Sequence, residues 1–146
     1  METAPAIIRF KAIELLSKSL NRPEKGEFLG SVFHFDIKAG SFVNESQRAI
    51  VVVVDVSVRE ADKEIVVAKI SAGFVFEVDN FNESILKGAG DLYTIPNEAD
   101  SLVKSVALST VRGIMFSEFR GTFLAGAIMP ILIIQPTSNE IEQVSK

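Results

Sequence analysis

Between Arg48 and Val78 the chain carries two long apolar alternations joined by three polar residues, and this pattern restricts it to folds that contain a long antiparallel hairpin. In Arg48 to Glu60, Ile50, Val52, Val54, Val56 and Val58 share one face. Val51, Val53, Asp55, Ser57 and Arg59 share the other, so one end is apolar on both sides, as in a central strand. After the turn Ala61-Asp62-Lys63, the stretch Glu64 to Val78 places Val66, Ala68, Ile70, Ala72, Phe74, Phe76 and Val78 on a single face. Gly73 within it marks either a bulge or a close approach.

Two further strands precede this hairpin. Gly30 to Phe42 sets Phe33, Phe35 and Ile37 against Val32, His34, Asp36 and Lys38, the period of a half-buried strand. Ile7 to Leu20 begins with Ile8, Phe10 and Ala12 on one face and Arg9 and Lys11 on the other. Ile13 and Leu15 then shift the apolar parity by one, which predicts a bulged strand, with a short amphipathic helix as the competing reading. The loop Asn21 to Gly26 has no apolar residue.

Beyond the hairpin, Asp79 to Ile95 is a long connection without a clear period, in which Phe81, Ile85, Leu86, Leu92, Tyr93 and Ile95 are interleaved with Gly88 and Gly90. It either folds over a groove or completes the local core. A long helix is predicted over Leu102 to Phe123, capped at its start by Asn97, with Glu98 and Asp100 at the positive end of its dipole and Gly121 as the left-handed residue that ends it. Its polar stripe holds Ser101, Ser105, Ser109, Arg112 and Arg120, and the remaining apolar surface is too wide for one neighbour. A sheet covers one side; a second subunit or a bound molecule is expected on the other. Thr122 to Gln135 reads as apolar and extended, and residues 137–146 as a polar tail with at most one frayed helical turn.

The fold expected from these elements is α+β: a four-stranded antiparallel sheet with one long helix on one face. The 146 residues suit a single domain spanning 1–146. Without cysteine there is neither a disulfide framework nor a thiolate metal site, and the default compartment is cytoplasmic. A net charge of −4 with no basic cluster argues against nucleic acid. The N-terminus lacks the pattern of a signal peptide, and the apolar run Phe123 to Ile134 falls short of the ~20 residues of a membrane helix, so no membrane insertion is expected. His34, the one histidine, lies on a polar strand face, and no catalytic constellation, metal site or cofactor motif appears; Lys87 to Gly90 lacks the spacing of a phosphate loop. The chain is therefore expected to bind or assemble rather than to catalyse. Eleven phenylalanines against one tyrosine and no tryptophan reinforce this, since rings without a polar handle must be hidden in a core, an interface or under a ligand.

The helix body LSTVRGIMFSEF, the run Arg120-Gly121-Thr122-Phe123 after it, the segment Ala72-Gly73-Phe74-Val75-Phe76 and the position of Pro130 together resemble the SecB family of protein-export chaperones, over roughly Ile7 to Pro130. The resemblance implies ATP-independent binding of unfolded or nascent polypeptides by a homotetramer built as a dimer of dimers. On the matching positions it implies a peptide groove at Phe74, Phe76, Phe81, Leu92, Tyr93, Met115 and Phe119. Contacts between subunits would fall on Val103, Val106, Thr110, Arg112 and Ile114 of the helix. The family docks on the SecA motor through carboxylates on the exposed sheet face; Glu14 stands at one such position, but Lys18 and Lys69 stand where acids are expected, which argues against SecA. Pro136 and the polar tail replace the family's second helix. Two other functions stay open: an α+β domain enclosing a small apolar ligand, and a SecB-like chaperone dedicated to one partner such as an antitoxin.

Overall fold

The computed structural model describes residues 4–21, 32–60, 65–90, 92–134 and 141–143. Strands β1 (Ile8–Leu20), β2 (Phe33–Asn44), β3 (Ala49–Glu60) and β4 (Val66–Val78) form one sheet of order β1-β4-β3-β2. Every neighbouring pair is antiparallel, so a three-strand meander is joined by β1 at its far side, the Greek-key arrangement. The Asn21 to Gly26 loop, apart from Asn21, and the Ala61-Asp62-Lys63 turn lie outside the described residues. The β2–β3 turn is built locally: Asn44 Oδ1 accepts from the Gln47 amide at 3.2 Å and from Ser46 Oγ at 2.9 Å, and Arg48 takes a positive φ of 50°.

β1 carries register irregularities between Phe10 and Ala12 and between Leu15 and Ser17. The first accounts for the parity shift read from the sequence. The second was not read, and it turns Lys18 onto the face of its partner Ile70, which is buried. Gly73 is not a bulge; it pairs in register with Val53 and Glu14, and a Cβ there would lie 3.5 Å from the Leu16 side chain, which covers it. The start of β1 is pinned by Asn80, whose Oδ1 accepts from the Ile7 amide and whose Nδ2 donates to the Pro5 carbonyl, both at 2.8 Å.

The connection after β4 contains a single helical turn, α1 (Phe81–Ser84), and two short paired strands, β5 (Leu86–Lys87) and β6 (Tyr93–Thr94). The long helix, α2, spans Asn97–Phe119. Its N-cap is Pro96, without a side-chain cap bond, so Asn97 is the first helical residue and not the cap. Arg120 is extended and Gly121 takes φ +78°, which ends the helix as expected. The chain then turns back along α2 until β7 (Leu132–Ile134), which pairs with β8 (Ile141–Gln143). Part of the tail is thus a strand and not a frayed helical turn; residues 135–140 and 144–146, Pro136 among them, lie outside the described residues.

Burial follows from where α2 lies. Near its start Asp100 meets Ser41 of β2, and near its end Glu118 meets Lys18 of β1, so the helix crosses the inner sheet face from one edge to the other. Beneath it Ile50, Val52, Val54, Val56, Val58, Ile70, Ala72 and Phe74 join Val103, Ala107, Leu108, Val111, Met115 and Phe119 in one buried cluster. Ser41, Val52, Phe74 and Ile13 form one cross-strand row, with the helix over its Ser41 end. Ile13 is three strand spacings away, roughly 14 Å, beyond the cover of the helix.

Candidate functional site

Five of the seven positions expected to line a groove pack in the interior of the chain. Phe74, Phe76, Phe81, Met115 and Phe119 are all buried in the core cluster, and the ring of Phe10 on β1 lies over Phe76 at 4.7 Å and Phe74 at 6.5 Å. Phenylalanine at period two under a crossing helix is what fills a sheet–helix interface, so packing takes these rings first. Leu92 and Tyr93 remain at the surface, Leu92 with 73% of its area exposed.

The positions expected between subunits divide in the same way. Val103 is fully buried in the chain's own core. Arg112 donates through Nε to the Met129 carbonyl at 2.7 Å, tying α2 to the returning C-terminal segment, and Thr110 Oγ1 donates to the Val106 carbonyl at 2.8 Å. Val106 and Ile114 are half-buried. The outward helix face presents Leu102 and Phe116 instead, each more than half exposed, with Ser109 and Gly113 between them. Phe116 lies seven residues after Ser109, so helical spacing alone places it on the stripe assigned to polar residues.

Glu14 and Lys69 are exposed on the outer sheet face, in register with Gly73 and Ser57 respectively. Lys18 is not there. Its ammonium donates to Glu118 Oε2 at 2.6 Å on the inner side, so its charge belongs to a contact between β1 and α2.

The surviving surface residues converge on a cleft of about 510 Å³ lined by Ser41, Phe42 and Val43 of β2, by Leu92 to Ile95, and by Asp100 and Lys104 of α2. β2 is an edge strand, and its residues line the cleft from both faces: Ser41 turns to α2, whereas Phe42 faces outward beside Val51 and is more than half exposed. The cleft therefore straddles an edge whose main chain has no sheet partner among the described residues. Its opposite wall is held by Tyr93, packed against Phe81 at 5.8 Å and under the Lys87 ammonium at 5.7 Å, and by Gly88, whose amide donates to the Leu92 carbonyl at 2.6 Å. At its base Asp100 accepts from Ser41 Oγ and forms an ion pair with Lys104 Nζ at 2.9 Å. Phe42 was legible as an outward residue, because its even position opposes the face of Phe33, Phe35 and Ile37; Ser41, Asp100 and Lys104 come together only through the path of the helix.

A second apolar area lies on β1, where Phe10, Ile13 and Leu15 are 46%, 50% and 40% exposed. Among the described residues no group of acidic, histidine or cysteine side chains is arranged to hold a metal, and no helix is long and apolar enough to cross a membrane.

No family model matches the chain, and no curated protein matches it in sequence. A solved structure does match: a SecB-like chaperone from Mycobacterium tuberculosis in complex with a peptide from an antitoxin, with a TM-score of 0.57 at 14% identity over 86% of this chain and 89% of that one. The four-stranded antiparallel sheet with its one long helix is thus a SecB-like fold.

Proposed function

We propose that this chain is an ATP-independent chaperone that holds segments of unfolded or nascent polypeptide. The observation that carries the reading is the cleft along the edge of β2, which has no sheet partner among the described residues and is rimmed by exposed Phe42 and Leu92. An extended segment added to a strand edge is held by main-chain hydrogen bonds, and apolar rims take alternate side chains, so binding tolerates many sequences. The likeness to a chaperone structure supports the same reading. Leu92 and Tyr93 are the expected groove residues that line this cleft, and Phe81 backs its wall through the contact with Tyr93.

Assembly into a tetramer belongs to this proposal. Leu102, Val106 and Phe116 form an outward apolar strip, and two such strips facing each other leave Ser109 and Gly113 as room for close helix approach. Docking on SecA is not favoured, because Lys69 stands on the same outer sheet face as Glu14; with Lys18 turned inward, one charge and not two argues against it.

The test is suppression of aggregation when a chemically unfolded protein is diluted into this one without nucleotide. Suppression at equimolar tetramer is expected, and aggregation unchanged at several-fold excess defeats the proposal. The second reading, a chaperone dedicated to one antitoxin, is favoured by the ligand of the matching structure. It predicts tight binding of a single partner from the native host and no protection of a panel of unrelated unfolded proteins.

A further inference from the structure

We infer that Lys104 is a register-setting residue of the cleft, which takes one main-chain carbonyl of an extended polypeptide; the inference rests on the polypeptide-binding reading above. The side chains of Lys104 and Asp100 are only 15% and 10% exposed, yet both line the open cleft. An ammonium carries three donors. Here it forms an ion pair with Asp100 Oδ2 at 2.9 Å, and among the described residues Lys104 has no second partner. Asp100, by contrast, is served at both oxygens, by Lys104 and by the Ser41 hydroxyl.

The charge balance selects the occupant. Lys104 and Asp100 neutralise each other, so a carboxylate entering beside them would gain one attraction and meet one repulsion at nearly the same distance. A neutral acceptor meets no such opposition and satisfies a donor that is largely shielded from water. Ser41 to Val43 supply the rest of the argument: a segment laid along this edge is extended, and every second residue of it turns a carbonyl to the same side. Lys104 then fixes which carbonyl sits over the floor, and with it which side chains fall between Phe42 and Leu92. Register is set without reading any side chain.

The experiment is an ester scan. A fluorescent peptide with a single Leu-Ser-Leu segment in an otherwise polar, lysine-flanked sequence, so that its leucines seat in one register, is prepared with one backbone amide at a time replaced by an ester, whose carbonyl is a weaker acceptor. Each version is titrated into the full chain and into Lys104→Met. Most ester positions should change affinity alike in both proteins. One position should weaken binding to the wild type about tenfold while changing the variant less than about twofold, the size expected for a hydrogen bond to a charged donor. The double variant Lys104→Met with Asp100→Asn removes both charges and keeps an acceptor for Ser41; it should show the same loss of coupling, which guards against misfolding of the single variant. Equal ester profiles in wild type and variants overturn the inference and leave the chaperone reading standing. Failure of the peptide to bind wild type at all overturns both.

Discussion

β3 and β1 contribute the same kind of residue to the same sheet face and meet opposite fates. Ile50 to Val58 of β3 are sealed under α2, whereas Phe10, Ile13 and Leu15 of β1 keep nearly half their surface in contact with solvent. Hydrophobicity does not separate them. The diagonal path of the helix does, because its bridge to β1 is made at Lys18, well beyond Ile13. An alternating pattern therefore identifies which residues share a face, and the position of the cover decides whether that face is buried or exposed.

Five measurements would break or sharpen this contrast. The largest effect is expected beneath the helix: Phe74→Ala should lower unfolding stability by about 3–5 kcal/mol in a denaturant titration, through lost burial and the cavity left behind. Ile13→Ala, on the same row, should change the stability of the isolated protomer by less than ~1 kcal/mol; an equal loss would mean that β1 is covered within the protomer and would dissolve the contrast. Next comes assembly. If the proposed tetramer forms through this helix face, Leu102→Asp with Phe116→Asp should weaken association by about 2–4 kcal/mol, seen in sedimentation as a shift to smaller species, and an unchanged mass would exclude the outward helix face as the interface. Smaller again, Leu92→Ser or Phe42→Ser should reduce affinity for an unfolded client about tenfold at unaltered stability, since both side chains are exposed before the client arrives. Lys18→Met should have the smallest effect, at most about 1 kcal/mol in thermal unfolding and vanishing at high salt, because its bridge to Glu118 is about one-third exposed at either end.

Much of the architecture was legible in the chain itself. The hairpin of β3 and β4, the strand parity of Phe33, Phe35 and Ile37, and the left-handed Gly121 all follow from backbone periods and steric rules that act within a few residues. Of the positions named for a groove, only Leu92 and Tyr93 line the cleft. Period and composition single out a phenylalanine without saying whether packing or a ligand claims it; Phe74 and Phe76 of β4 and Phe119 of α2 are all buried in one core between sheet and helix. Lys18 illustrates a second kind of miss: one extra residue in β1, between Leu15 and Ser17, inverted its face and turned an apparent surface charge into a tie to the helix.

The sequence by itself determined the elements and their apolar faces, because alternation, turn chemistry and helix termination are local properties of the backbone. Only the tertiary structure decided which face is sealed and where a cleft remains. Ser41 and Asp100 are 59 residues apart and Lys18 and Glu118 are 100 apart. Contacts of that range depend on the angle at which one helix packs across four strands, and that angle is set by the sum of many side-chain fits rather than by any one stretch of chain.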